Sequence, residues 1–208
     1  MTTWAIVVAG GAGSRFGGQK HKQTLDGVEL WQRCVNAFHA AGIKHVVVVG
    51  DVPGGVPGGS RRRDSVAHGL AAVPGGVDWV LIHDAARPLV TPELIERVLA
   101  RVSVGDIDGA IPTIPVTDTL KYVRGESVVT TVDRADLVAV QTPQAFRLSV
   151  LKAAHDSDGA DATDDAALVE RANGTVVHVM GDPTNIKITY SGDLLVAEAY
   201  LKVTSSDG

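Results

Sequence analysis

A glycine-rich segment near the start of the chain carries several cationic side chains. It follows an apolar run at residues 4–8, and its notable residues are Gly10, Gly11, Gly13, Arg15 and Lys22. Glycine lets backbone N–H groups approach a phosphate closely, and Arg and Lys in the same loop add positive charge beside it. The segment therefore predicts a binding site for a nucleoside triphosphate.

Two familiar glycine motifs do not account for this loop. The P-loop pattern requires a lysine where Gln19 stands, and the dinucleotide-binding fingerprint requires a third glycine where Phe16 stands. A glycine turn that only joins a strand to a helix is the simpler alternative. Arg15 and Lys22 favour the phosphate site, because a plain turn needs no positive charge.

A second group of polar residues follows the apolar run at 79–82. Asp84 and Arg87 would emerge at the carboxyl edge of a parallel sheet, which is where open α/β folds bind ligands. A carboxylate there can hold Mg²⁺, which prefers one or two carboxylates together with substrate phosphates. Asp84 is therefore our candidate metal ligand. The alternative is that Asp84 caps a turn and pairs with Arg87.

Lys187 lies in a third segment that could carry chemistry. Residues 185–189 alternate apolar and polar side chains, which predicts a short strand with Lys187 on the face opposite the two isoleucines. A turn at 181–183 precedes this segment, so Lys187 could face the same sheet edge as Asp84. The alternative is a solvated surface lysine.

The composition is that of an ordinary globular domain. The chain has 208 residues, of which 45% are hydrophobic and 21% charged, so we expect one domain over residues 1–208. The net charge of −5 argues against nonspecific nucleic-acid binding. Positive residues cluster at 15–22 and 61–63, which suits a small polyanionic ligand. The spacing of the histidines supports neither a zinc site nor a Ser-His-Asp triad.

We expect a cytoplasmic protein that does not enter a membrane. Cys34 is the only cysteine, so no disulfide can form within the chain, as is usual in the reducing cytoplasm. The first strand is expected by residue 4, which leaves no room for a signal peptide. No apolar run approaches the roughly 20 residues of a membrane span.

Strand-like apolar runs alternate with segments of helical spacing. The runs lie at residues 4–8, 44–49, 79–82, 109–114 and 176–180. Helices are expected from about residue 30 to Gly42, after the start signal Thr91-Pro92, and over residues 163–172. The alternation is typical of an α/β fold with a Rossmann-like, mostly parallel twisted sheet flanked by helices.

Residues 115–141 interrupt this alternation. Strand-like stretches at 120–123 and 128–132 lie on either side of Gly125, which predicts a β-hairpin. An exposed hairpin has unprotected edges, and pairing with a second copy of the chain would cover them. We therefore expect residues 115–141 to form a projecting β-arm for dimerisation. The alternative is a hairpin packed on the edge of its own sheet.

Eight segments together resemble the 2-C-methyl-D-erythritol 4-phosphate cytidylyltransferases of the non-mevalonate isoprenoid pathway. In chain order they are AGGAGSR at 9–15 with KQ at 22–23, RDSV at 63–66, HDAARP at 83–88, PVTDTLK at 115–121, DR at 133–134, QTPQ at 141–144, TDD at 163–165 and NIKIT at 185–189. Each signal is weak alone, but together they follow the family's order over nearly the whole chain.

The resemblance implies a nucleotidyltransferase (GT-A-like) fold and cytidylyl transfer from CTP to 2-C-methyl-D-erythritol 4-phosphate, with pyrophosphate leaving. The catalytic residues that it implies are Arg15, Lys22, Arg134 and Lys187. Arg15 and Lys22 would contact the CTP phosphates, Lys187 would orient the attacking phosphate, and Arg134 would come from the arm of the partner subunit. The implied substrate-binding residues are Gly10, Gly11, Gly13, Ser65, Asp84, Ala85, Arg87, Thr119, Thr142 and Thr163, with Mg²⁺ at Asp84.

Two other functions stay open beside this one. A ribitol 5-phosphate cytidylyltransferase would share the CTP loop and the NIKIT segment, but that family generally departs from HDAARP. A nucleotide-binding module without catalysis would not need groups such as Lys187 that act only in the transition state. The chain also departs from the family at His21, where proline is usual; this substitution removes a restriction on the backbone.

Overall fold

The computed structural model describes residues 1–10, 23–157 and 162–206, with side chains described up to residue 203. Part of the sequence-predicted nucleotide loop lies outside these ranges. The residues concerned are Gly11, Gly13, Arg15, His21 and Lys22.

The described residues form eleven strands and six helices. The strands are β1 (Thr3–Val8), β2 (Thr24–Leu25), β3 (Val28–Glu29), β4 (Val46–Val49), β5 (Trp79–Asp84), β6 (Gly109–Pro115), β7 (Leu120–Arg124), β8 (Ser127–Val132), β9 (Val138–Val140), β10 (Gln144–Arg147) and β11 (Val176–Met180). The helices are α1 (Leu30–Ala40), α2 (Arg62–Ala72), α3 (Pro92–Val102), α4 (Leu148–Ser157), α5 (Asp165–Arg171) and α6 (Gly192–Ser206). The five strands and three helices that the alternating pattern predicted are all present.

Seven strands form the main sheet, in the order β11-β6-β10-β5-β1-β4, with β9 paired to β6. β1 runs parallel to β4 and β5, and β11 runs parallel to β6. Because β10 is antiparallel to both β5 and β6, those two strands point the same way. Five strands thus share one direction and only β9 and β10 oppose it, which confirms the prediction of a mostly parallel sheet.

Both faces of the sheet are covered by helices. In β5, Trp79 and Leu81 pack with α1 and α3 on one face, while Val80 and Ile82 pack with α2, α4 and α5 on the other. Strands buried on both faces read as continuous apolar runs, which is why β1 and β5 were recognisable from sequence. Residues at the carboxyl ends of β1 and β5 are therefore held in place by strands that are packed on both faces.

Local signals fix the helix ends. The Thr91 hydroxyl accepts a hydrogen bond from the backbone N–H of Leu94 at 3.3 Å, and Pro92 occupies the first turn, as predicted. In α5 the N-cap is Asp164, whose carboxylate accepts from the N–H of Ala167 at 3.1 Å. This cap sets the position of Asp165, the first residue of the helix.

Helix α2 was not predicted, and it lies unusually close to β1. A Cβ atom placed on Gly69 would come within 2.6 Å of Ile6 Cγ2, so only glycine permits this approach. The close packing fixes the first turn of α2, which carries Arg62 and Ser65.

Strands β7 and β8 form a separate two-stranded sheet, as the hairpin prediction for this region required. Their apolar side chains are largely exposed, among them Tyr122, Val123, Val128 and Val129. Of the two arrangements weighed from sequence, the structure therefore has a hairpin that is not paired with the main sheet. No helix within the described ranges is long and apolar enough to span a membrane.

Candidate active site

A pocket of about 250 Å³ opens at the carboxyl edge of the sheet. It is lined by Arg62, Asp84, Arg87, Val140, Gln141, Thr142, Gln144, Thr163, Asp164 and Lys187. Strand β5, the first turn of α2, the approach to β10 and the segment after β11 all contribute to it. The pocket therefore collects residues that are far apart in sequence at one edge of the sheet.

Asp84 is the last residue of β5 and the only carboxylate in the pocket that pairs with two cations in the described structure. Its Oδ1 accepts from Arg62 Nε at 3.1 Å and its Oδ2 accepts from Lys187 Nζ at 2.7 Å. Burial raises the pKa of Asp84, but Arg62 and Lys187 outweigh that effect and hold the pKa well below its usual range. Asp84 is therefore ionised at neutral pH.

The suggested alternative, an Asp84–Arg87 pair, is wrong. Arg87 instead donates from Nη1 to the Asn185 carbonyl at 2.8 Å and from Nη2 to the Val140 carbonyl at 3.2 Å. Burial lowers the pKa of Arg87 from its ordinary value, and nearby Asp84 opposes that shift. Arg87 stays charged, because a guanidinium is not deprotonated in proteins at neutral pH.

Arg62 joins two carboxylates from different elements. Besides its contact with Asp84, it donates from Nη1 to Asp165 Oδ2 at 2.7 Å. Burial lowers the pKa of Arg62, but the two carboxylates outweigh it and raise the pKa above its ordinary value. Arg62 therefore stays fully charged while three-quarters of its side chain is buried.

Asp165 and His155 extend this arrangement into the interior. Asp165 is 1% exposed, and its Oδ1 lies 3.1 Å from His155 Nε2. Burial raises the pKa of Asp165, but Arg62 and His155 outweigh that effect and lower it. Since an ionised carboxylate only accepts hydrogen bonds, His155 Nε2 carries the proton.

Hydrogen bonds that involve Thr142 and His83 fix the backbone at Asp84. Burial lowers the pKa of His83 to about 4, so the imidazole is neutral at pH 7. Its Nε2 lies 3.2 Å from the Arg87 carbonyl and must donate, which leaves Nδ1 to accept from the Thr142 hydroxyl at 3.0 Å. The Thr142 oxygen in turn accepts from the Asp84 N–H at 3.1 Å. Thr142 therefore lines the pocket and also fixes the end of β5.

The predicted strand at 185–189 is wrong, although the predicted position of Lys187 is right. The backbone N–H of Ile188 donates to the Ala86 carbonyl at 2.8 Å, and the segment joins no strand ladder among the described residues. Ile188 is buried, Ile186 is half-buried and Lys187 is exposed, but Asn185 is also buried, so the alternation is only partly reproduced. Lys187 faces the same sheet edge as Asp84, as the sequence predicted.

Three residues assigned to the nucleotide lie together beside the pocket. The position that a Cβ atom would take on Gly10 is 3.5 Å from Ser65 Oγ. Ser65 accepts from the Gly59 N–H at 3.0 Å, and the N–H of Ala85 donates to the Val8 carbonyl at 3.0 Å. Gly10, Ser65 and Ala85 are thus held at the ends of β1, α2 and β5.

Thr119 and Arg134 do not line this pocket. Thr119 is exposed just before β7, and Arg134 is exposed after β8. Arg134 Nη1 donates to the Val116 carbonyl at 3.1 Å and also to the Thr117 carbonyl, so its described contacts stay within the base of the arm. Thr163 lines the pocket and is exposed.

The pocket's donor set fits a magnesium ion held mainly by substrate phosphates. Among residues 1–10, 23–157 and 162–206, no three His, Cys, Asp or Glu side chains are grouped to enclose a metal. Asp84 offers one ionised carboxylate, and each of its oxygens keeps a second lone pair beyond its bond to Arg62 or Lys187. One carboxylate with phosphate oxygens is a usual environment for Mg²⁺.

Sequence reasoning missed Arg62, Asp165 and His155. The run at residues 61–63 was a visible signal of positive charge, but nothing in it distinguishes the arginine that points inward. In the sequence, Asp165 has the pattern of a residue at the start of a helix, and His155 belongs to no motif.

Comparison with known proteins identifies the fold. A mostly parallel sheet flanked by helices, with a pocket at its carboxyl edge, is shared with solved structures of the nucleotidyltransferase fold. The crystal structure of 2-C-methyl-D-erythritol 4-phosphate cytidylyltransferase from Thermus thermophilus superimposes with a TM-score of 0.82 at 33% identity, covering 97% of this chain and 100% of that one. The chain belongs to the family "IspD: 2-C-methyl-D-erythritol 4-phosphate cytidylyltransferase", which matches residues 3–203.

Two relatives show how the chain compares in length. A protein of Rubrobacter xylanophilus named 2-C-methyl-D-erythritol 4-phosphate cytidylyltransferase is 43% identical over 226 residues, covering 98% of this chain and 96% of the relative. A protein of Nitratidesulfovibrio vulgaris (strain DP4) named "Bifunctional enzyme IspD/IspF" is 40% identical over 230 residues, covering 96% of this chain and 58% of the relative. The chain thus spans rather more than half of the bifunctional protein.

Proposed function

We propose that the chain transfers a cytidylyl group from CTP to 2-C-methyl-D-erythritol 4-phosphate, releasing pyrophosphate, in non-mevalonate isoprenoid synthesis. Family membership over residues 3–203 and the relatives' names support this reaction. The structure adds a pocket at the sheet edge whose charges suit a phosphate-bearing substrate.

The observation that carries the proposal is a group of three cations with unused donors. Arg62, Arg87 and Lys187 line the pocket with two carboxylates, Asp84 and Asp164, which leaves one positive charge in excess among the lining residues. Arg62 Nη2 and Arg87 Nε are buried and have no hydrogen-bond partner among the described residues. Buried donors without partners are costly, so an oxygen-rich anion is the ligand expected to stabilise them.

The reaction needs positioning and neutralisation of charge more than covalent chemistry. An oxygen of the methylerythritol phosphate forms a bond to the α-phosphorus of CTP, while the bond from that phosphorus to the bridging oxygen of pyrophosphate breaks. Lys187, held at the sheet edge by Asp84, would orient the attacking phosphate. Arg15 and Lys22, with the backbone of Gly10, Gly11 and Gly13, would neutralise the triphosphate.

The remaining assignments belong to the same proposal. Ser65 and Ala85 would lie along the nucleotide, and Arg87, Thr142 and Thr163 would contact the polyol phosphate. Mg²⁺ would neutralise phosphate charge and bind Asp84 as its protein carboxylate. A cytoplasmic location is supported by the single cysteine, Cys34.

We also propose a homodimer in which the arm completes the partner's site. The arm strands β7 and β8 pair only with each other in the described chain and expose apolar side chains such as Val128 and Val129. An exposed hairpin of this kind is stabilised by pairing with a second copy. Arg134 and Thr119, which do not line the pocket of their own subunit, would then reach the polyol phosphate of the other.

The test is a pyrophosphate-release assay with purified protein, Mg²⁺ and CTP. Methylerythritol phosphate, ribitol 5-phosphate and a buffer blank are each added separately. We expect release only with methylerythritol phosphate. Turnover only with ribitol 5-phosphate would show that the proposed substrate is wrong. Binding of CTP without turnover of methylerythritol phosphate or ribitol 5-phosphate would support a non-catalytic nucleotide-binding module instead.

A further inference from the structure

Four charged or polar contacts form a continuous chain from the interior to the pocket. His155 donates to Asp165, Asp165 accepts from Arg62, Arg62 donates to Asp84, and Asp84 accepts from Lys187. The four distances, in that order, are 3.1, 2.7, 3.1 and 2.7 Å. The inner members are 4% and 1% exposed at His155 and Asp165, whereas the Lys187 side chain is 44% exposed. These contacts thus connect two buried side chains, His155 and Asp165, to the partly exposed ammonium of Lys187.

We propose that Arg62 is a positioning residue that fixes Asp84, and through Asp84 the ammonium of Lys187, and that Asp165 and His155 lock Arg62 in place. This inference rests on the proposed function, because it concerns the geometry of Lys187 in cytidylyl transfer. It gives a positioning role to three residues that form no bond to the reacting atoms in the proposed reaction.

The side chain of Lys187 needs an anchor to hold its ammonium in one place. Lys187 has a long side chain, and the contact recorded at its ammonium is with Asp84 Oδ2. Placement of a reacting group within about 1 Å is worth roughly 100-fold in rate, so the orientation of Asp84 controls how well Lys187 can act. Arg62 holds the other oxygen of Asp84, which prevents the carboxylate from turning.

Arginine suits this place because its fork reaches two carboxylates at once. Nε and Nη1 of Arg62 bind Asp84 at the end of β5 and Asp165 at the start of α5, so one side chain joins three elements. The ammonium of lysine is a point charge and cannot reproduce this planar geometry. Arg63 donates to the His155 carbonyl, so the first turn of α2 also contacts α4, the helix that carries His155.

Among the described residues, few charged or titratable side chains face the contacts that run from His155 to Lys187. Asp84 faces Arg62 and Lys187, with Arg87 near enough to influence it and His83 beside it in a neutral form. Arg62 faces Asp84 and Asp165, and Asp165 faces His155. Removing the charge of Arg62 therefore leaves Lys187 as the closest cation to Asp84.

The experiment compares four variants with the wild type. Arg62→Gln removes the charge and the fork, Arg62→Lys keeps the charge alone, and Asp165→Asn unlocks Arg62 without touching Asp84. The matched control is Arg147→Gln, because Arg147 forms Arg–carboxylate pairs with Asp106 and Asp108 away from the pocket. We would measure kcat and the KM for CTP.

We expect Arg62→Gln to lower kcat by roughly 10- to 100-fold and to change the KM for CTP by less than about threefold. Arg62→Lys should recover only part of the lost kcat, because it keeps the charge without the planar fork. Asp165→Asn should also lower kcat, and Arg147→Gln should leave both kcat and the KM for CTP unchanged.

A second measurement does not depend on turnover. In protein labelled with [13Cε]lysine, the Lys187 signal is identified by its loss in Lys187→Ala. It should shift in Arg62→Gln and Arg62→Lys and stay in place in Arg147→Gln. An unmoved Lys187 signal, or an unchanged kcat in the folded Arg62 variants of an active wild type, would overturn the inference. An inactive wild type in which the signal still shifts would overturn the proposed function alone.

Discussion

The carboxylate of Asp84 lies 2.7 Å from the ammonium of Lys187, 103 residues further along the chain. Asp84 is fixed by β5, whereas Lys187 belongs to a segment that is attached beside the site by neighbouring residues. The Ile188 N–H donates to the Ala86 carbonyl, and Asn185 hydrogen-bonds to Arg87 and Thr142. The ion pair therefore connects the rigid sheet to an outer segment. Its two members are the residues on which substitution should most clearly separate catalysis from binding.

Lys187→Ala should lower kcat by roughly 10²- to 10³-fold, which is the usual loss when a group that stabilises the transition state is removed. The KM for CTP should change much less, since Lys187 is assigned to the attacking phosphate. Lys44→Ala is the matched control, because Lys44 is exposed beyond α1 and away from the pocket. Steady-state kinetics at varied CTP decide the matter, and equal losses in kcat and CTP affinity would contradict the assigned role.

Asp84→Asn should reduce the free energy of unfolding by about 2 kcal/mol at pH 7, because charge-assisted hydrogen bonds from Arg62 and Lys187 are weakened while Arg62 keeps Asp165 as a partner. The folded-state pKa of Asp84 lies below its ordinary 3.8, so its contribution is complete above about pH 4 and is lost as the pH falls further. The difference in unfolding free energy between wild type and variant should therefore be constant from pH 7 to about pH 4 and narrow between about pH 4 and pH 3. Urea unfolding at a series of pH values measures it, and a difference that does not narrow below about pH 4 would argue against an ionised Asp84.

Much of the fold was readable from the sequence, because its main strands are buried on both faces. β1 and β5 appear as unbroken apolar runs, and α3 carries a Thr-Pro start signal with a regular apolar stripe. β10 was missed because it is only four residues long and lies between a proline turn and α4. Its antiparallel pairing with β5 depends on contacts across the sheet that no local pattern encodes.

The candidate site could be predicted only in part, because local sequence patterns reveal some of its residues and not others. Asp84 could be found because it follows a recognisable strand, and Lys187 because a turn directs it to the same edge. Helix α2 lacks a regular apolar stripe, since its first turn is occupied by Arg62, Arg63 and Asp64. Which arginine points inward is decided by the carboxylates of distant elements, and these become neighbours only in the folded chain.

His83 should make the protein less stable as the pH falls from about 6.5 to 4. Burial lowers the pKa of His83 from 6.5 to about 4 in the folded state, so the unfolded chain binds an extra proton within this interval. A difference of that size corresponds to roughly 3 kcal/mol across the interval. His83→Gln should flatten the dependence of unfolding free energy on pH between 7 and 5, and His39→Gln, an exposed control, should not. If the unfolding free energy of His83→Gln still falls between pH 7 and pH 5 as in the wild type, another group is responsible for the pH dependence.

Mixing two inactive variants tests whether one active site uses two subunits. In a heterodimer of Arg134→Ala and Lys187→Ala chains, the site with an intact Lys187 receives an intact Arg134 from the other arm, whereas the second site lacks both. Differently tagged and purified heterodimers should thus regain about half of the wild-type activity, because one of two sites is complete. Arg124→Ala, a nearby exposed arm substitution, should stay active as a homodimer and so exclude a general effect on the arm. If Arg134 instead serves its own subunit, neither site of the heterodimer is complete, and pyrophosphate release will not recover.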